Sequence, residues 1–173
     1  MAKNVGKIFE EDFSSSVPQD CFELRLKDSA QSYNERKETK FAWQNPYDYV
    51  LFNGEILFCL ELKSTCQKYM GFQVDKNDKS SKIIKWHQID SLTKASVYKN
   101  VIAGFVLNFR ISDDEQLTYF LSIQDFNKMK SEINKKSFTI MDAVLYGAKR
   151  IQGNKKITRW RWELEELLKF HNN

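Results

Sequence analysis

Residues 46–63 read PYDYVLFNGEILFCLELK, and this stretch decides the fold. Two apolar runs flank Asn53-Gly54, the strongest short-range signal for a β-hairpin, because both positions of such a turn favour positive φ. The second run is apolar on both faces as far as Leu60, which is typical of a central strand. We therefore predict a hairpin over 48–63 whose second strand lies inside a sheet.

The segments on either side of this hairpin carry helical and strand patterns in turn. Apolar residues at spacings of three and four predict helices, and short alternating or fully apolar runs predict strands. The predicted elements are a helix over 4–14, a strand over 21–26, a helix over 83–99, strands over 101–109 and 117–122, a helix over 123–133, a short helix after Phe138-Thr139 and a final helix over 160–170. This order predicts an α/β domain, a mixed sheet flanked by helices.

Composition excludes several classes of protein. The 173 residues are 42% hydrophobic and 29% charged, which predicts one ordinary domain over 1–173 rather than a disordered chain. Three cysteines and two histidines show no metal-ligand spacing, so a zinc site is not expected. The longest apolar runs have strand length and the N-terminal residues do not form a signal peptide, so we expect a cytoplasmic protein that contacts no membrane.

Three charged side chains stand at the open end of the predicted hairpin. Register counted from the turn places Asp48 almost opposite Glu61, and Lys63 shares a strand face with Glu61 because side chains two residues apart point the same way. Two neighbouring carboxylates repel each other unless a hard cation lies between them, and their oxygens suit Mg²⁺. Lys63 could orient or deprotonate a water beside the metal. The pattern favours phosphodiester hydrolysis.

A second interpretation is a hairpin whose charged residues are only solvated at its open end. The spacing of Asp48, Glu61 and Lys63 alone arises by chance in many chains. The apolar strand before Glu61, the preceding Pro46-Tyr47 and the Asn53-Gly54 turn favour the nuclease.

Asp48, Glu61 and Lys63 resemble the PD-(D/E)XK nuclease motif, in which Tyr47 stands between Pro46 and Asp48. More specifically, the chain resembles the RecU-type Holliday junction resolvases over about 6–150. The further motifs that carry this resemblance are Gly6-Lys7-Ile8-Phe9-Glu10 in the first helix, Trp86-His87-Gln88 in the helix after the E-x-K strand, Thr118-Tyr119-Phe120-Leu121 in a late strand and Lys136-Ser137-Phe138-Thr139 at the next helix start. Each motif is short, but their order and spacing together are fairly specific.

The resemblance implies a restriction-endonuclease-like fold and a Mg²⁺-dependent endonuclease, with Mn²⁺ as the alternative metal. The metal ligands that it implies are Glu10, Asp48 and Glu61. The catalytic residues that it implies are Lys63, Glu61, Asp48 and Gln88, the last of which would touch the water or the phosphate. Glu11 is a rival to Glu10, because a slip of one residue in the first motif changes the ligand. The family also implies a homodimer, whose two sites suit a two-fold junction.

Basic residues supply candidate contacts to DNA phosphates. Residues 27–45 stand where the resolvase family has a stalk that enters the junction, and they are short and differently composed, so we interpret them as a mobile arm or a stalk counterpart. The predicted DNA-binding residues are Arg36, Lys37 and Lys40 in that arm, and Lys76, Lys79, Lys82 and Lys85 around a loop and the following helix start. A second basic cluster consists of Lys149, Arg150, Lys155, Lys156, Arg159 and Arg161.

Three functions fit these features. A Holliday junction resolvase acting on branched DNA is the first, a nuclease of the same fold acting on duplex or flap DNA is the second, and a catalytically inactive DNA-binding domain is the third. Trp160 and Trp162 alternate with arginines and could stack on bases, but we favour their packing a C-terminal helix onto the core.

Overall fold

A computed structural model describes residues 5–26 and 45–169 of the chain. Its helices are α1 (Val5–Ser14), α2 (Trp86–Ala95), α3 (Ile123–Glu132), α4 (Ile140–Leu145) and α5 (Glu165–Leu168). Its strands are β1 (Phe22–Arg25), β2 (Tyr49–Phe52), β3 (Leu57–Thr65), β4 (Tyr69–Gly71), β5 (Val101–Arg110), β6 (Gln116–Ser122), β7 (Ser137–Thr139), β8 (Lys149–Ile151), β9 (Gly153–Lys156) and β10 (Arg159–Trp162). None of the described helices is long and apolar enough to cross a membrane.

The central feature is a six-stranded sheet with the strand order β1-β2-β3-β5-β6-β8. Strands β3 and β5 run parallel, and the other neighbouring pairs run antiparallel. The α2 helix makes the crossover that a parallel pair requires. The α/β class that the sequence predicts, a mixed sheet flanked by helices, is therefore confirmed, and β3 is a central strand as expected.

Alternate side chains of the central strands belong to two apolar clusters, one on each face of the sheet. On β3, Cys59 belongs to the cluster beneath α2 and α3, whereas Leu60 belongs to the cluster beneath α1. Ile89 of α2 and Phe126 of α3 fill the first cluster. This two-sided burial explains why the strand sequence is apolar without alternation up to Leu60.

The β2–β3 hairpin forms as predicted, but its turn is longer than the two-residue turn that Asn-Gly favours. Phe52 pairs with Leu57, so four residues make the connection. The Asn53 side chain accepts hydrogen bonds from the backbone N–H groups of Glu55 and Ile56, and of the two turn residues only Gly54 has a positive φ. The two extra residues shift the register by two positions, which keeps every side chain on its predicted face.

The predicted helix over 160–170 is wrong for its first half. Trp160 and Trp162 lie in β10, which pairs antiparallel with β9, and only α5 is helical. The apolar-polar alternation of residues 159–162 has a period of two, and this outweighs the Leu-rich helical pattern that follows. Both tryptophans are buried in the core, as expected, but they are part of a strand.

Two further helical boundaries differ from the expected ones. The helix predicted over 83–99 is confined to α2, because Ile84 is fully buried in a β-bridge with Phe72 and so belongs to the preceding extended chain. In contrast, α3 starts after Ser122 and α4 after Thr139, as predicted, and each of these residues caps its helix.

The segment over 27–44 lies outside the described residues, so the predicted arm and its Arg36, Lys37 and Lys40 are untested. The described residues that flank it are hydrogen-bonded to each other. The Asn45 side chain donates a hydrogen bond to the Leu26 carbonyl at 3.1 Å, and the Leu26 N–H donates to the Asp48 carbonyl at 2.8 Å. Leu26 and Asn45 therefore lie together beside Asp48.

Candidate active site

Two carboxyl groups meet at the open end of the β2–β3 hairpin. Tyr49 pairs with Leu60, and the Asp48 N–H donates a hydrogen bond to the Leu60 carbonyl, so the ladder places Asp48 opposite Glu61. The carboxyl group of Asp48 is close enough to that of Glu61 to add to the effect of burial in raising the pKa of Glu61. The pairing predicted from the sequence is thus present. Asp48 lies directly opposite Glu61, whereas a two-residue turn would place it two residues away from that position.

The Glu61 side chain is almost fully buried, with 2% of the residue exposed. Its Oε1 atom accepts hydrogen bonds from two donors. Lys63 Nζ lies 2.7 Å away on the same strand, and the Gln88 side chain reaches it from the first turn of α2. The structure therefore brings together four of the predicted site residues, which are Asp48, Glu61, Lys63 and Gln88.

The electrostatics of this pair favour one proton on Glu61. Burial raises the pKa of Glu61, the negative charge of Asp48 raises it further, and Lys63 opposes both effects, leaving the pKa at about 7. Two ionised carboxylates have only acceptors, so the pair needs a proton or a cation between its two groups.

Asp48 is held from the backbone of the facing strand. Its Oδ2 atom accepts a hydrogen bond from the Leu62 N–H at 2.8 Å. This hydrogen bond fixes the Asp48 carboxylate next to the strand that carries Glu61. Sequence reasoning missed the role of the Leu62 N–H, because a backbone donor leaves no residue-type signal.

The start of α2 is built around Gln88. The Gln88 side-chain oxygen accepts a hydrogen bond from the Lys85 N–H at 2.9 Å, which is the N3 half of a capping box, while its amide nitrogen donates to Glu61. One side chain thus fixes the helix end and the carboxylate together. Burial lowers the pKa of the neighbouring His87, and the charges of Lys63 and Lys85 lower it further. The site therefore has a cationic side next to its carboxylates.

The structure does not bring the remaining predicted ligand into this group. Glu10 lies on α1, which covers the opposite face of the sheet, and its carboxylate pairs with Arg25. Its rival Glu11 pairs with Arg159 at 3.1 Å. Arg25 carried no signal in the sequence, because its contact with Glu10 joins two different elements, β1 and α1.

A divalent metal suits the donors that are present, although the protein supplies few of them. Over residues 5–26 and 45–169, no group of three or more His, Cys, Asp or Glu side chains lies close enough to hold a metal ion. Mg²⁺ keeps several waters and is commonly bound by one or two carboxylates together with substrate phosphates. The adjacent carboxyl groups of Asp48 and Glu61 meet this requirement.

The four predicted DNA-binding lysines that are described line the approach to α2. Lys76 and Lys79 are exposed in the loop that precedes the helix, and Lys82 and Lys85 are half-buried closer to it. Asp78 in the same loop pairs with Lys136 at 3.7 Å, so the loop is not uniformly cationic. These positions leave the lysines accessible to a bound polyanion.

Comparison with known proteins gives one relative in sequence. The chain is 33% identical over 179 residues to the SPbeta prophage-derived uncharacterized protein YotM of Bacillus subtilis (strain 168), a match that covers 96% of this chain and 86% of the relative. No protein-family model matches the chain.

Among solved structures, the chain is similar to Hjc, a Holliday junction resolvase from the archaeal hyperthermophile Archaeoglobus fulgidus. The TM-score is 0.47 and the sequences are 13% identical, with 80% of this chain and 91% of that chain covered.

Proposed function

We propose that this chain, which belongs to the family of the SPbeta prophage-derived protein YotM, is a metal-dependent DNA endonuclease. The observation that carries the proposal is the position of the half-buried Asp48 opposite the buried Glu61, with Lys63 hydrogen-bonded to the Glu61 carboxyl group. A second acid beside a buried one is costly to maintain, because burial and the neighbouring negative charge both disfavour ionisation of Glu61. Such a group fits chemistry on a phosphodiester better than it fits a structural role.

Asp48 and Glu61 would hold the metal, which we propose is Mg²⁺, with Mn²⁺ as an alternative. When bound, the metal supplies a polarised phosphate oxygen, an activated water and charge stabilisation for the leaving oxygen. Asp48 is already oriented by the Leu62 N–H, and Glu61 gives up its proton to the solvent when the cation binds. Glu10 would join them only after exchanging its contact with Arg25.

Lys63 and Gln88 would act on the attacking water. Lys63 Nζ is fixed at the edge of the carboxyl pair by its 2.7 Å contact with Glu61, so it can orient a water beside that pair. Gln88 holds the other side of Glu61 and has a second, structural bond to the Lys85 N–H. We assign Gln88 the role of a positioning residue for Glu61.

The substrate we propose is branched DNA, most specifically a four-way junction cut by a homodimer. The resemblance of residues 6–150 to the RecU-type resolvases supports this choice. Leu26 and Asn45, which flank residues 27–44 of the predicted arm, are hydrogen-bonded to each other beside Asp48. Exposed Lys76 and Lys79, in the loop before α2, would supply phosphate contacts.

A nuclease for duplex or flap DNA is the second candidate. Residues 27–45, the counterpart of the junction-entering stalk, are short and differently composed, with Arg36, Lys37 and Lys40 as their predicted phosphate contacts. The same catalytic group would serve both substrates.

The experiment is a cleavage assay at matched salt with labelled four-way junction, flap, duplex and single-stranded DNA. Wild type and Asp48→Asn are compared with Mg²⁺ and with EDTA. Paired symmetric nicks in the junction that need Mg²⁺ and Asp48 would support the resolvase. Cleavage of flap or duplex DNA without a junction preference would support the second candidate. DNA binding by the wild type without cleavage of any substrate would contradict both and leave a DNA-binding domain.

A further inference from the structure

The tip of the β9–β10 hairpin carries an isoleucine that the proposed active site does not use. Ile157 is 94% exposed, the most exposed of the large hydrophobic residues that the structure describes. Its φ is 54°, in the left-handed region. A β-branched residue is a strained choice there, because its Cβ substituents crowd the backbone, and glycine or asparagine would fit better. Folding alone therefore gives no reason for an isoleucine at this position.

The hairpin that presents this tip has a fixed base. Trp160 and Trp162 are buried, and their rings stack at 5.5 Å between centroids. Helix α1 holds the same strand, because Asp12 accepts a hydrogen bond from the Trp160 N–H and the Ser16 hydroxyl accepts one from the Trp162 N–H. The exposed tip thus projects from an anchored strand pair.

Positive charge surrounds the exposed isoleucine. Lys155, Lys156 and Thr158 are exposed beside it, and Arg159 follows on β10. Arg159 and Lys155 have acidic partners, but each keeps a substantial part of its side chain in solvent, 41% and 31%. An exposed apolar side chain among cationic side chains is complementary to nucleic acid, because nucleic acid carries phosphates next to stacked base faces.

The tip lies toward the end of the sheet at which β5 finishes, because Lys155 pairs with Asp114 in the turn between β5 and β6. Strand β3 runs parallel to β5, and Lys63 lies closer to that end than Glu61, the middle residue of β3. The hairpin packs with α1 on one face of the sheet, and α2, which carries Gln88, covers the other face. A DNA molecule that contacts both the hairpin tip and the carboxyl pair would pass around this end of the sheet.

We propose that Ile157 is a wedge that inserts between bases at a DNA branch point, while Lys155 and Lys156 contact the adjacent phosphates. Proteins that distort DNA insert apolar side chains between bases in this way. At a branch point the insertion costs less free energy than in a continuous duplex, because some base faces are already unstacked. This inference rests on the proposed function and adds the part of the protein that recognises the branch.

The test uses the Asp48→Asn protein without metal, so that binding is measured without cleavage. The DNA is a four-way junction with 2-aminopurine at the branch point, and a duplex of equal length is the comparison. Ile157→Asn removes the apolar side chain while suiting the positive φ, so the hairpin keeps its fold. Ile157→Leu restores an apolar side chain. Val97→Asn is the matched control, because Val97 is 76% exposed in the loop after α2.

The wedge predicts an increase in 2-aminopurine fluorescence on binding that Ile157→Asn abolishes and that Ile157→Leu and Val97→Asn retain. Affinity for the junction should fall about fivefold or more in Ile157→Asn, the lower end of what one stacked base contributes, and affinity for the duplex should change less than twofold. Junction binding with an unchanged signal in Ile157→Asn would overturn the wedge and leave the proposed function standing. Absence of DNA binding by the Asp48→Asn and wild-type proteins would overturn both.

Discussion

Asp48 and Glu61 face each other across an antiparallel strand pair, in a site where Glu61 is 2% exposed. This arrangement exists because a four-residue turn sets the register and because the Leu62 N–H orients Asp48. Two acids in this position need either a proton or a cation between them. The predictions below follow from that requirement and from the elements that maintain it.

Lys63→Ala should reduce the cleavage rate at saturating DNA by about 100-fold or more, the lower end of a general acid–base contribution. The reason is that Lys63 Nζ is the amine held beside the carboxyl pair. Single-turnover cleavage measures the rate, and Lys79→Ala is the matched control because Lys79 is exposed in the preceding loop. The control should weaken DNA binding and leave the saturated rate unchanged. Equal effects of both variants on the rate would contradict the role of Lys63.

Gln88→Glu should shift the pH midpoint of cleavage upward. The new carboxylate keeps an acceptor oxygen for the Lys85 N–H but puts a second negative charge against Glu61, which raises the pKa of Glu61 further. Gln88→Ala lacks that charge and should leave the midpoint lower than Gln88→Glu does. The rate of cleavage across pH 6 to 9 gives the midpoint of each variant. Identical midpoints would show that Gln88 does not act through Glu61.

Asp12→Ala should lower the free energy of unfolding by about 1–2 kcal/mol, because it removes a buried acceptor of two hydrogen bonds. Asp12 is 2% exposed and accepts from the Arg159 side chain and the Trp160 N–H. Glu11→Ala is the control, since its pair with Arg159 is partly exposed on both sides and should contribute less than about 1 kcal/mol. Urea denaturation compares the two. A larger loss in Glu11→Ala would contradict the anchoring of β10 by Asp12.

Gly104→Ala should destabilise the protein by about 1–3 kcal/mol through overpacking. A Cβ at Gly104 would lie 2.4 Å from the Leu121 carbonyl oxygen, and neither strand of the sheet centre can move freely. At Gly71 the added Cβ would meet the flexible Lys82 side chain at 3.0 Å, so Gly71→Ala should cost less. Thermal unfolding of both variants tests the difference. Equal melting temperatures would argue against the close approach of β5 and β6.

Much of the fold could be predicted because its central strands are buried on both faces. The apolar run before Glu61 marked β3, and period-two spacing placed Glu61 and Lys63 on one face, which the 2.7 Å contact agrees with. The register of the β2–β3 hairpin was harder to predict from the sequence. Whether Asn53-Gly54 forms a two-residue or a longer turn depends on side-chain hydrogen bonds to Glu55 and Ile56 that composition does not reveal.

The C-terminal region shows where local pattern fails. Residues 159–162 alternate as a strand does, yet the Leu and Glu residues that follow favour a helix, and the strand is held by Asp12 of α1 and by Ser16, which follows that helix. These partners are more than 140 positions away, so no window of sequence contains them. Glu10 shows a different limit, because its motif position suggested a ligand whereas its side chain pairs with Arg25, 15 positions along the chain.

Metal binding by the Asp48–Glu61 pair is the central claim, and a titration with Mn²⁺ followed by EPR of the free ion tests it most directly. Glu61 has a pKa raised to about 7, so it is protonated below that pH and ionised above it. A cation needs the ionised pair, so affinity should rise by up to about tenfold per pH unit as the pH increases toward 7 and level off above it.

The account predicts binding that Mg²⁺ competes away, that strengthens between pH 6 and 8, and that Asp48→Asn and Glu61→Gln both abolish. Folding of each variant is checked by circular dichroism under the same conditions. Binding that is independent of Asp48 and Glu61, or no binding of either metal by a folded wild-type protein in the presence of junction DNA, would contradict the claim.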